Sequence, residues 1–369
     1  MEKREACPGA PILLALVLTV LTSSVGTAGG TPLATAVGGG VGCVGDCNGD
    51  GRVTIDEIIT GVNIALGNVE VSTCESYDIN GQVTVDEILM AVNEALNGCP
   101  EGAVGTISGT AVKGPVSNAT VSALAIGSSG VKGAQIGSAV TDGSGNFTMQ
   151  VGNYSGPLML EMTGGSFMDE AAGTRMEMGA TDMMTAAIPN MMAGATLNGI
   201  EITPLTSMAQ RMAQDMFGGM TEANITQSNS AMGRYCDVSD ILSVHPMDPT
   251  ASGSGAAANQ DQRNYGMMIA AMSEYASTIG MPSTSGMVTA MMDDASDGIM
   301  NGMMGGTRID MGGMGGMMGG MMMQPDAGTS GLATAMTSFM LSAQNRSGLT
   351  VQDMQALIDK LDASNGVIQ

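Results

Sequence analysis

Residues 46–57 read D-C-N-G-D-G-R-V-T-I-D-E, and the stretch that follows from 53 to 68, V-T-I-D-E-I-I-T-G-V-N-I-A-L-G-N, returns 30 residues later as V-T-V-D-E-I-L-M-A-V-N-E-A-L-N-G at 83–98. The two copies agree at 9 of 16 positions, so residues 43–100 form a duplicated loop-and-helix unit. In the first copy Asp46, Asn48 and Asp50 alternate along a tight loop at positions one, three and five. Gly51 sits at six, where the chain must turn sharply, and Glu57 at twelve. A hard cation such as calcium takes ~6–8 oxygen ligands, and alternate residues of a tight loop point their oxygens inward. Arg52 at seven offers its backbone carbonyl and Thr54 at nine serves directly or through water, whereas Asp56 faces out.

Keeping the 30-residue register, the second loop places Ser76, Asp78, Asn80, Gln82, Thr84 and Glu87 at positions one, three, five, seven, nine and twelve, with Gly81 at six. Alternatively Asp78 is position one and two residues have been lost. In either register the first position or the spacing is impaired, so the first loop is expected to bind calcium more tightly. After each loop apolar residues recur at helical spacing: Ile58, Ile59, Val62, Ala65 and Leu66, then Ile88, Leu89, Val92, Ala95 and Leu96. The expectation is two short helices that bury these stripes against each other.

This segment resembles a dockerin-type repeat, a pair of EF-hand-like calcium loop-helix units that lack the helix preceding each loop; the glycine-rich 39–46 stretch cannot supply that helix. The resemblance implies the fold, the calcium ligands and a cohesin-like or other surface protein as partner, with a place as accessory component of a polysaccharide-degrading assembly. Ile55-Asp56 and Val85-Asp86 stand where cohesin-binding members carry a Ser-Thr pair, and four cysteines replace a cysteine-poor frame.

The whole chain carries 35 acidic and 12 basic residues in 369, a net charge of −23. Such acidity excludes nucleic acid and anionic membrane surfaces as partners, because both require a basic face. Ten acids against one base, Arg52, fall between Cys43 and Pro100, so part of the acidity is a concentration of calcium ligands. His245 is the one histidine, which excludes a multi-histidine metal site and leaves any histidine-dependent triad with that residue. Four Phe, five Tyr and no Trp give little for a sugar-stacking groove.

Residues 1–28 read as a signal peptide: Lys3 and Arg4, an apolar run at 12–21, then small residues before cleavage near Ala28 or Gly29. The run is short of the ~20 residues that span a bilayer, so no membrane span is expected after cleavage. Residues 29–42 are a glycine-rich linker. Cys7 leaves with the signal, and Cys43, Cys47, Cys74 and Cys99 read as two disulfides of open connectivity in an exported, secreted or cell-surface, protein. A four-cysteine zinc site competes poorly, because it lacks paired C-x-x-C spacing. Cys236 is left over as a buried free thiol.

From 103 to 203 short alternating runs split by glycine and serine predict an antiparallel sandwich: 106–112, 118–126, 136–141, 146–151 and 157–163, with further strands at 166–189 and 197–203. The run T-D-G-S-G-N-F-T-M at 141–149 resembles carboxypeptidase regulatory-like domains, which are non-catalytic Ig-like modules. Residues 204–369 are helical and methionine-rich; 36 of 38 methionines lie beyond residue 148. Met208, Met212 and Met216 share a helix face, as do Tyr265, Met268, Ile269, Met272, Tyr275 and Ile279, which marks them as core. Residues 303–323 form a low-complexity Met/Gly loop, since seven of the thirteen residues at 311–323 are Met and the rest Gly. It reads as a flexible connection, as a soft thioether site for Cu(I) or Ag(I), or as a sacrificial oxidation target. Asp293, Asp294 and Asp297 are the acid cluster of the chain, with Asp293 and Asp297 expected one turn apart on a helix.

The fold class is therefore multi-domain α+β: an all-α calcium module, an antiparallel Ig-like sandwich and a methionine-rich helical domain. The function expected is calcium binding in a secreted, non-catalytic protein that mediates structural or protein-protein attachment. Exported soft-metal handling is the alternative.

Overall fold

The computed structural model describes residues 43–48, 52–77, 83–99, 104–281, 284–311 and 321–369, all within one compact unit at 39–369. The expected signal and linker, residues 1–42, lie outside the described residues. The fold is mixed α+β.

In the amino-terminal module two helices, α1 (Ile55–Ala65) and α2 (Val85–Asn97), begin at Thr54 and Thr84. Each has a glutamate three residues in that accepts from the threonine's backbone N–H, 2.8 Å for Glu57 and 2.5 Å for Glu87, satisfying a donor the helix start leaves open. Disulfides Cys43–Cys99 and Cys47–Cys74 tie the ends together with Cα separations of 5.5 and 4.7 Å. Around them Val53, Ile58, Ile64, Tyr77, Ile88 and Ala91 are buried. Tyr77 is the centre. Its ring lies against Gly61 so closely that a Cβ there would stand 2.3 Å from Cζ, and its hydroxyl donates to the Glu57 carbonyl at 3.4 Å.

The expectation that the helical stripes bury each other holds for Ile58, Val62, Ile88 and Val92 and is corrected for the rest. The buried face of α1 is Glu57, Ile58, Gly61 and Ile64, and that of α2 is Glu87, Ile88 and Ala91. Tyr77 and the disulfides fill the space between the helices, so Ile59, Leu66, Leu89 and Leu96 turn to solvent.

Strands β1 (Gly105–Ala111), β2 (Thr120–Ile126), β3 (Lys132–Val140), β4 (Asn146–Val151) and β5 (Gly156–Thr163) lie at the runs read from the sequence, β3 starting four residues before the expected 136–141. After a small hairpin, β6 (Ser166–Met168) with β7 (Arg175–Glu177), come β8 (Met183–Met191) and β9 (Thr196–Ile202). They build a three-stranded sheet, β4-β1-β9, and a four-stranded one, β3-β2-β5-β8. The expectation of a purely antiparallel sandwich is corrected: β1 is antiparallel to β4 but parallel to β9. Ile200 follows a register shift beside Gly109, where a Cβ would stand 1.9 Å from the Ile200 carbonyl oxygen, so only glycine admits the returning strand.

Inward Phe147, Met149 and Val151 alternate with exposed Thr148 and Gln150 on β4, the pattern of a strand buried on one face. By contrast β5 and β8 contain continuous buried runs, because helices α3 (Pro204–Asp215) and α4 (Glu222–Cys236) cover the far side of their sheet. Leu124, Ile126, Met159, Ala187, Ala213, Met220 and Ile225 fill that second layer. Thr203 and Thr221 cap these helices, each accepting at 3.2 Å from the backbone N–H three residues on.

Helices α5 (Gln260–Thr278), α6 (Ser285–Ala295), α7 (Ser330–Leu341) and α8 (Gln355–Asp362) complete the body. Tyr265, Met268, Ile269, Met272 and Tyr275 are buried as the periodicity requires. Sandwich and helices share one apolar cluster running from Ile107 to Ile368, in which unbranched methionine fills the irregular gaps left by a near absence of aromatics. The free thiol Cys236 is buried in it. At the Met/Gly segment the flanks are paired: Met303–Met304 against Thr307–Arg308, then Met311 N–H to the Met321 carbonyl at 2.9 Å and Met323 N–H to the Ile309 carbonyl at 2.8 Å. Residues 312–320 lie outside the described residues. No helix among the described residues is long and apolar enough to cross a membrane.

Candidate metal loops and the apolar face beside them

Glu57, the twelfth residue of the first loop, is buried and turned back over the loop. Its Oε1 accepts from the backbone N–H of Cys47 at 3.0 Å and of Asn48 at 3.3 Å, while Oε2 accepts from Thr54 N–H at 2.8 Å and Thr54 Oγ1 at 2.9 Å. The carboxylate thus reaches loop positions two, three and nine at once. Asp46 is buried beside it, its N–H donating to the Cys43 carbonyl at 3.1 Å, while Arg52 and Asp56 are exposed. Of the six first-loop residues, Asp46, Asn48, Arg52, Thr54 and Glu57 are described; Asp50 lies outside the described residues.

In the second loop Thr84 caps α2 and Glu87 is 3% exposed. Its Oε2 is engaged by Thr84, but Oε1 is buried with no hydrogen-bond partner among the described residues. A buried carboxylate oxygen left open is costly. It stands at the position where the loop pattern calls for a two-oxygen cation ligand. Ser76 Oγ lies 3.2 Å from the Cys74 sulfur, at the disulfide that joins the loops; Asp78, Asn80 and Gln82 lie outside the described residues.

Glu94 was not singled out from the sequence. Its carboxyl approaches the Cys43 and Cys99 sulfurs within 4.8 Å, a grouping that resembles a metal site, but those sulfurs are bonded to each other and are not thiolate ligands. Burial raises the Glu94 pKa, opposed by a hydrogen bond from the Val44 backbone. Burial likewise pushes the Tyr77 hydroxyl well above its ordinary range, with Glu57 and Glu94 adding to the effect.

The two helices expose equivalent apolar rows. Ile55 and Ile59 on α1 and Leu66 at its C-cap correspond to Val85, Leu89 and Leu96 on α2, and these six side chains are 49% to 65% exposed. Spacings of four and eleven residues put each trio on one side of its helix. Asp56, Asp86 and no lysine share these helices.

Other candidates serve the body. Asp293 pairs with Arg211 at 3.5 Å, and Asp294 is fully buried, accepting from the backbone N–H of Asn301, Gly302 and Met303 at 2.9, 2.6 and 3.3 Å. Burial raises the Asp294 pKa to about 6 despite these donors. Helix α6 ends at Ala295, so Asp297 lies in the turn beyond it and not on the expected helix face with Asp293. His245 Nδ1 is 3.0 Å from Glu201 Oε1; that hydrogen bond raises the histidine pKa, and burial raises that of Glu201.

Comparison with known proteins gives no matching family model, no matching curated protein and no matching solved structure.

Proposed function

We propose that the amino-terminal module is a dockerin-like calcium unit in an exported, non-catalytic attachment protein. The first ion takes oxygens from Asp46, Asn48, Asp50, the Arg52 carbonyl, Thr54 and Glu57, and a second takes Ser76, Asp78, Asn80, Gln82, Thr84 and Glu87. The observation that carries this reading is the paired glutamate: both twelfth-position carboxylates are buried at the first helical turn, and Glu87 Oε1 is left without a donor among the described residues. A divalent cation is the natural partner for such an oxygen in a chain of net charge −23.

Attachment is supported by the duplicated apolar rows on α1 and α2, which a monomer gains nothing by exposing. The acids flanking them suit a partner surface that is apolar at its centre and basic at its rim. The seven strands behind the module are read as an Ig-like, carboxypeptidase regulatory-like spacer, and the two disulfides suit an oxidising exterior.

Equilibrium dialysis with calcium, on the native chain and on Glu57→Gln and Glu87→Gln, tests the ligands. The expected result is calcium uptake by the native chain and loss of one site in each variant. Uptake that neither substitution changes would overturn the assignment. A pull-down from the native secretome, with calcium and with chelator, tests attachment: a partner retained only with calcium is expected, and equal capture in both contradicts it.

A further inference from the structure

Lys113, two residues beyond β1, is fully buried. Its Nζ is 3.0 Å from Glu170 Oε2 and 3.7 Å from Asp169 Oδ2, and both acids are buried too, directly after β6. Nζ also donates to Ser273 on α5 and stands 5.3 Å from the centre of the Phe167 ring. One ammonium between two carboxylates in an apolar interior is an expensive arrangement, since the desolvation of three charges is set against their attraction.

The hydrogen bonds divide the two acids into different roles. Asp169 Oδ1 accepts from the backbone N–H of Ala171 at 3.1 Å and of Ala172 at 2.8 Å, while Oδ2 accepts from Thr284 Oγ1 at 2.6 Å. Two backbone donors on one oxygen are what stabilises the oxyanion when a carbonyl carbon is attacked. Glu170 Oε2 touches Nζ and accepts from Ser273 Oγ at 2.6 Å, the place of a group that moves protons.

We propose that Lys113 and Asp169 condense to an intramolecular amide, with Glu170 as the proton-transfer group. Glu170 takes a proton from the ammonium and hands it to Asp169 Oδ2, and the Nζ lone pair attacks Cγ of the resulting carboxylic acid to form the C–N bond. Charge collects on Oδ1, held by Ala171 and Ala172. The C–Oδ2 bond breaks as that oxygen receives the second of the three ammonium protons by way of Glu170, and it departs as water. The third proton stays on the amide nitrogen. One ammonium and one carboxylate become a neutral amide and a water, with no oxidant or reductant required. Fixing the partners side by side favours a condensation that free solutes in water do not complete, since effective concentrations of well-oriented intramolecular pairs reach ~10⁵–10⁸ M. The product removes two buried charges. Glu170 lines a hollow of about 60 Å³ that gives the water a way out. The amide ties the end of β1 to the turn after β6.

The test is the intact mass of the full exported chain, reduced and denatured, followed by tryptic mapping. The expected mass is lighter by one water than that calculated for the reduced chain from its observed N-terminus. The map should contain a branched peptide joining Lys113 to Asp169, with no cleavage after Lys113. Lys113→Arg keeps the positive charge but should restore the full mass, and Glu170→Gln should restore it in a chain that still melts cooperatively. A native chain of full mass, cut by trypsin after Lys113, overturns the proposal even if both variants fail to fold. A branch from Lys113 to Glu170 overturns the assignment of roles.

Discussion

The amino-terminal module and the body from residue 104 onward reach stability by opposite routes. Among its described residues the module buries eight apolar side chains, Cys43 and Cys74 among them, and it is crossed by two disulfides. The body has no disulfide among its described residues and one continuous apolar cluster from Ile107 to Ile368. A unit too small to hold itself by burial needs staples or a bound ion, whereas a large one does not. The module also exposes matched apolar rows on its two helices, whereas the body's exposed apolar side chains, Met192, Phe217 and Leu341 among them, are scattered over several elements.

Removing the staples separates the two regions most sharply. Replacing Cys43 and Cys99, or Cys47 and Cys74, by serine should cost ~2–5 kcal/mol for each bond. Hydrogen exchange followed by mass spectrometry should report rapid exchange of α1 and α2 and unchanged protection of β1–β9. Equal loosening of both regions would break the comparison. Next in size is Gly61→Val, whose added carbons meet the immobile Tyr77 ring; a loss of about 1–3 kcal/mol is expected, confined to the module's melting.

The body has its own titration. Asp294 is buried with its pKa raised from 3.8 to about 6, so its folded form holds a proton that the unfolded form gives up. Stability from this group is complete below pH 3.8 and is lost as pH rises through about 6. Asp294→Asn keeps an acceptor for the 301–303 backbone and cannot ionise. Relative to the native chain it should gain about 1–3 kcal/mol across that interval, read as the difference in melting temperature against pH. The smallest effect is Leu66→Ser. At 65% exposure its stability change should stay within about 0.5 kcal/mol, while calcium-dependent partner capture falls. A large loss of stability would mean that the row is structural.

The two helix starts were legible because capping is a local property: Thr54 with Glu57 and Thr84 with Glu87 open their helices, and both glutamates fold inward at the first turn. The strand at 146–151 was legible for the same reason, since its alternation follows directly from one buried face. What could not be read was anything set by distant partners. Tyr77 carries no periodic signal, yet it fills the space between the helices and turns Ile59, Leu66, Leu89 and Leu96 outward. The parallel pairing of β1 with β9 depends on the path of the chain between them. Lys113 sits in the turn V-K-G-P and reads as an ordinary surface lysine; its partners lie 56 and 57 residues on, at Asp169 and Glu170, and 160 on, at Ser273.

Differential scanning calorimetry of the full chain with calcium and with chelator tests the central claim most directly. The account predicts two transitions, with the module's moving to higher temperature in calcium and the body's staying in place. Binding to the folded state alone requires that shift to grow with calcium concentration. A module transition that calcium leaves unmoved would contradict it.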